Sequence, residues 1–355
     1  MQYTSIRPGQ LWLDTEGKRI QAHGGSLFFW EGVFYWYREN KEKTLPGSGI
    51  WHWGVRCYSS HDLYNWKDEG LILSPTPDDR SCPLHPSRTM DRPHILYNKK
   101  TEKFVMWVKF AGTETDPWDG QYMGIATADS ILGPFQLIKT IHPLGMNSGD
   151  FDLVIDPSDG KAYFYFERVH SELICADLTE DYMDVSGYYS THFPRISPPY
   201  VREAPAFFHR RGISYLFTSG TTGYFPNPSE VACARTYHGP WNELGDPHVG
   251  DESHTSFHSQ ITSVFRHPGK KELYIALADR WLTDLPEDYP DMQELFSLMF
   301  SEERDPQKAQ EAAQLLHTLT KENTSVADYV WLPVEFEGDK PVLRWKDEWK
   351  IEDYR

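Results

Sequence analysis

Five short polar clusters break into the otherwise apolar or aromatic runs of this 355-residue chain, and they hold residue types that do acid–base chemistry. They are Gln21-Ala22-His23-Gly24-Gly25, Met90-Asp91-Arg92-Pro93, Ser148-Gly149-Asp150-Phe151-Asp152, Val201-Arg202-Glu203-Ala204-Pro205 and Phe257-His258-Ser259-Gln260. Glu203 is the most informative. It is followed by Ala-Pro-Ala-Phe-Phe, so it opens an apolar run in which desolvation disfavours the carboxylate and raises its pKa. A carboxyl still protonated at neutral pH can donate to a leaving group. Paired with Arg202, Glu203 would instead be one half of an ion pair. Convergence with Asp91 and Asp150 would favour catalysis, because two or three carboxyls in one site are the arrangement used for glycoside hydrolysis.

For these clusters to meet, the elements between them must be regular. Five segments share one grammar, an apolar run, a polar turn and an alternating aromatic run: Leu27–Glu39, Ile95–Phe110, Leu153–Glu167, Ala206–Ser219 and Val264–Ala278. Rings and β-branched residues favour strands and the Gly, Asn, Asp or Lys clusters favour turns, so each reads as a β-hairpin. Cys57–Ser60, Gly124–Ala128 and Val231–Arg235 add a third strand, and Asn65-Trp66, Gly133-Pro134-Phe135 and Gly239-Pro240-Trp241 lead into a fourth. Four strands per ~50–60 residues is the size of a propeller blade. The expectation is therefore an all-β fold, a five-bladed β-propeller forming one domain over residues 1–355. A two-sheet sandwich rarely spaces its hairpins so evenly. In a propeller the innermost strands run beside the axis, which would gather the five clusters into one funnel. Asp284–Ala327 breaks the pattern, with helix formers at helical spacing over Asp305–Leu319. It is expected as a helical insertion in the fifth blade, about residues 284–327, at the rim, where it would cap the site or contact another subunit.

Composition removes several classes of function. The 52 acidic and 35 basic side chains leave a formal net charge of −17, which would repel a nucleic-acid backbone or an anionic membrane surface. Four cysteines, Cys57, Cys82, Cys175 and Cys233, lie far apart without metal-finger spacing and read as free thiols. Met1–Ile20 holds no apolar run of signal-peptide length, and no stretch approaches the ~20 apolar residues of a membrane span. A soluble, cytoplasmic protein is expected, one that meets imported oligosaccharides and not a polymeric glycan.

The ordered set of motifs resembles glycoside hydrolase family 43, the five-bladed propeller glycosidases. Within it, Ile20-Gln21-Ala22-His23-Gly24-Gly25 with Glu39-Asn40-Lys41 is similar to the subgroup of exo-β-1,3-galactanases. So are Asp91-Arg92-Pro93, Ser148-Gly149-Asp150, Arg202-Glu203-Ala204-Pro205, Thr218 to Gly223, Ser259-Gln260 and Tyr329-Val330-Trp331-Leu332-Pro333. The resemblance runs from about residue 18 to 345. It implies an exo-acting, inverting enzyme that releases terminal galactose from β-1,3-linked galacto-oligosaccharides. A β-xylosidase or α-L-arabinofuranosidase is the alternative within the family, and a carbohydrate-binding propeller without catalysis the alternative outside it.

The resemblance also assigns roles. Glu203 would be the general acid and Asp150 would hold and tune it. Most of the family places a base aspartate where this chain has Gln21-Ala22-His23. In the galactanase subgroup a glutamine matching Gln260 is thought to position or deprotonate the water through its imidic acid form. Glu39 or Asp91 is the rival base, with Gln260 then only orienting water. By resemblance both carboxylates bind sugar hydroxyls, although the subgroup has Glu-Arg-Pro where this chain has Asp91-Arg92-Pro93. Gln21, His23 and Thr222 complete the expected sugar contacts, with Tyr122 and Trp331 as stacking platforms. His23 could equally bond backbone. No cofactor is required, and His258 is a candidate for holding a structural cation, though a lone His is more often structural.

Overall fold

Each of the five segments does fold as a hairpin in the computed structural model, which describes residues 2–112, 120–286, 288–319 and 322–355. β1 (His23–Trp30) reverses into β2 (Val33–Glu39) at Glu31-Gly32, where both residues take positive φ (49° and 84°), as a two-residue type I′ turn requires. β3 (Val55–Ser60) and β4 (Lys67–Leu73) complete an antiparallel sheet in the order β1-β2-β3-β4. The plan repeats in β5 (Thr89–Asn98), β6 (Lys103–Ala111), β7 (Tyr122–Ala128) and β8 (Gln136–Ile141). It repeats again in β9 (Ser148–Ile155), β10 (Ala162–Arg168), β11 (Glu172–Leu178) and β12 (Val185–His192). The fourth copy is β13 (Glu203–Arg210), β14 (Ile213–Ser219), β15 (Glu230–Ala234) and β16 (Asn242–Gly245).

After the short β17 (His248–Val249) the plan changes. β18 (Gln260–Arg266), β19 (Tyr274–Arg280) and β20 (Asp328–Pro333) form a three-stranded sheet, with α1 (Met292–Phe300) and α2 (Pro306–Leu319) between β19 and β20. β21 (Glu335–Glu337) and β22 (Lys340–Arg344) then leave that sheet, and β22 pairs in parallel with β17. Six sheets are thus present among the described residues, which corrects the expected five blades. Tyr329–Phe336 reads as one strand in sequence, yet β20 ends at Pro333 and, after a last bond from the Val334 amide to the Tyr274 carbonyl, the chain turns into β21. Two-residue β17 carries no periodic signal of its own.

The helices also need correction. β19 and β20 remain hydrogen-bonded neighbours from Ile275↔Pro333 to Arg280↔Asp328, so the helical segment is a connection above the sheet and not an insertion within it. Asp291 caps α1 by accepting from the amides of Gln293 and Glu294. Met292, Leu295 and Ala312 then bury against Phe225, Trp281 and Leu282. Among the described residues, no helix is long and apolar enough to cross a membrane.

The first strands β1, β5, β9, β13 and β18 touch in succession and β18 returns to β1, giving the propeller its axis. Apolar layers fill the gaps between sheets. The layer joining the first sheet to β18–β20 holds Trp36, Trp66, Trp331 and Trp349. Its polar counterpart is the fully buried pair of Arg38 Nη1 and Asp279 Oδ2 at 2.8 Å, which joins β2 to β19.

Candidate active site

The sequence clusters fall where the innermost strands meet the axis, and three of them carry the same distortion. Register shifts occur between His23 and Ser26 in β1, Asp91 and His94 in β5, and Glu203 and Ala206 in β13. Gly24 (φ 68°), Arg92 (φ 50°) and Ala204 (φ 49°) take the left-handed conformation at these steps. Such bulges bend a strand and re-aim its side chains. Here they turn Asp91 and Glu203 into the funnel. Gly24 is also a close approach, since a Cβ there would lie 3.0 Å from Glu39 Oε1.

The funnel is a cavity of about 320 Å³ lined by Glu39, Asp91, Asp150, Glu203 and Gln260, together with Arg92, Lys109, Glu167 and His170. Lys109, projecting from β6, bridges Asp91 Oδ2 (3.0 Å) and Asp150 Oδ1 (2.9 Å). Arg92 Nε contacts Asp150 Oδ2 at 2.8 Å. Burial would push the Asp150 carboxyl up, but Arg92 and Lys109 outweigh it and hold the group below the usual carboxylate range. Asp91 is likewise held low against its burial by Lys109, Lys41 and the Trp51 indole, whose Nε1 donates to Asp91 Oδ1 at 3.0 Å. Both are ionised at neutral pH.

Glu203 is the opposite case. Burial raises its pKa well above the ordinary value, and the charges of Asp150 and Glu167 add to the effect. Arg202 does not pair with it: that guanidinium donates to Thr218 Oγ1, to the carbonyls of Thr218 and Pro228, and faces Glu230. Glu203 therefore holds its proton more tightly than the two ionised aspartates beside it, the division of labour that a general acid needs. Glu39 is also raised by burial, opposed by Lys41, whose Nζ lies 3.4 Å away.

Gln260 has an amide orientation fixed by its neighbours. Its oxygen accepts from Arg92 Nη2 (2.6 Å) and Trp281 Nε1 (3.0 Å), groups that only donate. Its NH₂ donates to Ser219 Oγ (2.9 Å) and Glu203 Oε1 (3.3 Å). An imidic acid would place a hydroxyl against two donors, so this arrangement holds the ordinary amide.

Several other sequence-predicted contacts lie elsewhere. Trp331 is fully buried, 4.7 Å from the Trp36 ring, because its position on β20 faces the neighbouring sheet. Tyr122 is half-buried between Phe110 and His142 and does not line the cavity. Thr222 is buried and donates to the Phe225 carbonyl at 2.6 Å, while Thr221 and Gly223 beside it reach the cavity. His23 is fully buried, stacks on Tyr329 at 5.3 Å and faces Asp279; Gln21 donates to the Ser325 carbonyl. Both serve the seam between sheets. His258 gives its carbonyl to Arg280, and among the described residues no group of three His, Cys, Asp or Glu side chains could hold a metal.

Lys109, Glu167, His170 and Trp281 were not singled out in sequence. Lys109, the one cation inside Phe104–Ala111, was a detectable signal, since a charge in a buried strand must be paired. Trp281 offered none among 13 tryptophans.

The family model for Glycosyl hydrolases family 43 matches residues 25–282. Among solved structures, a GH43 β-1,3-galactosidase is 29% identical with a TM-score of 0.81; the match covers 99% of this chain and 65% of that one. Another GH43 β-1,3-galactosidase, with galactodeoxynojirimycin, is 28% identical with a TM-score of 0.78, covering 98% of this chain and all (100%) of the other. An exo-β-1,3-galactanase from Phanerochaete chrysosporium with β-1,3-galactotriose is 23% identical with a TM-score of 0.78, covering 98% of this chain and 68% of that one, a likeness of fold. No curated protein matches this sequence.

Proposed function

From the premise that this chain belongs to glycosyl hydrolases family 43, and is a glycoside hydrolase, we propose that it removes terminal galactose from β-1,3-linked galacto-oligosaccharides with inversion. The observation that carries the catalytic part is Glu203, buried, with its pKa raised and unpaired with Arg202, facing an ionised Asp150. The choice of galactose is supported by the two β-1,3-galactosidases at 28–29% identity.

In this reading the terminal sugar occupies the funnel with its hydroxyls on Asp91 and Glu39. Glu203 protonates the glycosidic oxygen as the bond breaks. The fixed charge of Asp150 stabilises the oxocarbenium-like transition state and keeps the Glu203 proton in place. Gln260 holds the Glu203 carboxyl, both hydrogens of its NH₂ being taken by Ser219 and Glu203. Because its oxygen is occupied by Arg92 and Trp281, the water's proton goes to a carboxylate, and of the two candidates Asp91, held low, is ionised while burial raises Glu39.

The test uses p-nitrophenyl glycosides and β-1,3-galactobiose, with the released anomer followed by NMR. Glu203→Gln should lose about 10²- to 10⁴-fold on galactobiose, whose leaving group needs the proton, and far less on the nitrophenyl substrate. Azide should restore turnover to whichever of Asp91→Asn and Glu39→Gln has lost the base, and should leave Gln260→Ala unchanged. Xylose or arabinose release in place of galactose would overturn the substrate. Equal losses of Glu203→Gln on both leaving groups would overturn its role as acid.

A further inference from the structure

The helical connection brings aromatic rings to the mouth of the same cavity. Phe296 and Phe300 of α1 line it alongside Tyr224 and Trp281. Phe296 lies one turn on from Met292 and packs against the cluster that Met292 and Leu295 bury, so the contacts that hold the helix down also fix this ring. Phe296 and Phe300 stand one turn apart with ring centroids at 5.8 Å and planes 22° from parallel, and Phe300 is 43% exposed. Phe296 sits over Gly223, 3.9 Å from where a Cβ there would project. Gly223 belongs to the loop that follows β14, whose Ser219 pairs directly with Glu203. The rings thus rise on the side of the funnel where the general acid stands. Phe296 and Phe300 line the same cavity as Glu203.

We propose that Phe296 and Phe300 form the leaving-group platform of this enzyme, and that the substrate carries one ring immediately beyond the scissile bond whose flat apolar face lies on them. The inference rests on the glycosidase reading of the site and adds its specificity. The chemistry is a ring face, which the C–H side of a second pyranose or an aryl aglycone can supply. Phenylalanine offers no hydrogen bond, so recognition here is by shape and apolar contact, in contrast to the charged floor of the funnel.

The experiment compares kcat/KM for three glycosides of whichever sugar the wild-type enzyme releases: the 1,3-linked disaccharide, the phenyl glycoside and the methyl glycoside, which lacks a ring. Phe296→Leu and Phe300→Leu keep apolar bulk but remove the flat face, and circular-dichroism melting checks that they fold. Each should lower the disaccharide-to-methyl or the phenyl-to-methyl ratio by about three- to tenfold. Inhibition by the free monosaccharide, which does not reach the mouth, should stay unchanged. Which ratio falls identifies the sugar or the aryl source. Ratios that stay at wild-type values in both folded variants overturn the platform while leaving the glycosidase reading intact. A wild-type enzyme silent on all glycosides overturns the glycosidase reading, and the platform with it.

Discussion

Glu203 keeps its proton because its surroundings make ionisation costly, and that cost is measurable as stability. Its folded-state pKa lies well above the ~4.3 of an unfolded glutamate, so the folded chain binds this proton more tightly than the unfolded chain does. The resulting stabilisation is complete below the unfolded value and is lost as pH rises through the folded one. Glu203→Gln cannot ionise. Its melting temperature relative to wild type should therefore rise between pH 4 and pH 8, by an amount worth about 1.4 kcal/mol per unit of displaced pKa. A constant difference across that range would mean that Glu203 is ionised in the folded protein. Glu203, Asp150, Asp91 and Gln260 were legible as candidates in the sequence, because polar residues at the start of apolar strands announce themselves, whereas Glu39, the last residue of β2, was named only through the family resemblance. Arg92 was named only as part of its cluster, and Lys109 and Trp281, which with it set the charge and orientation of those five, were not singled out. Their roles depend on distances between different sheets, which no single segment encodes.

The strands themselves explain which readings failed. All five hairpins were visible through alternation and turn residues, and so were third strands at Cys57, Gly124 and Val231. Alternation also says that successive residues face opposite sides, but not which side is the cavity and which the neighbouring sheet. Trp331 fell on the wrong side of that choice, and Thr222 lies in the loop after β14, where alternation says nothing. Trp331 packs among Trp12, Trp36 and Trp66. Trp331→Leu should lower stability by about 2–4 kcal/mol in urea unfolding and leave KM unchanged. A raised KM with unaltered stability would return Trp331 to the sugar site. The bulges at Asp91 and Glu203 are equally hidden in a pattern of period two, since each adds a residue that alternation does not count.

At the scale of the molecule, the propeller closes between parts of the chain that are far apart in sequence. Arg38 Nη1 contacts both Asp279 oxygens (3.0 and 2.8 Å), Nη2 reaches Thr262, and the Gly24 amide donates to Asp279 Oδ2. All of this is buried. Asp279→Asn leaves a guanidinium uncompensated in the interior and should lower the unfolding free energy by about 3–5 kcal/mol, read as an earlier urea midpoint. A midpoint within error of wild type would show that apolar packing alone closes the ring. The number of sheets is a property of this same scale: the sixth depends on a two-residue strand meeting a hairpin almost a hundred residues later, which local periodicity cannot foretell.

The Arg38–Asp279 clamp has a further consequence in time. Its partners are 241 residues apart, so a nascent chain presents Arg38 long before Asp279 has been translated. At ~5–20 residues per second, the interval is about 12 to 48 seconds. Throughout it the first sheet has a cation to bury and nothing to bury it against. That sheet is made earliest and should settle last, open to chaperones and proteases on the ribosome until the strand carrying Asp279 emerges.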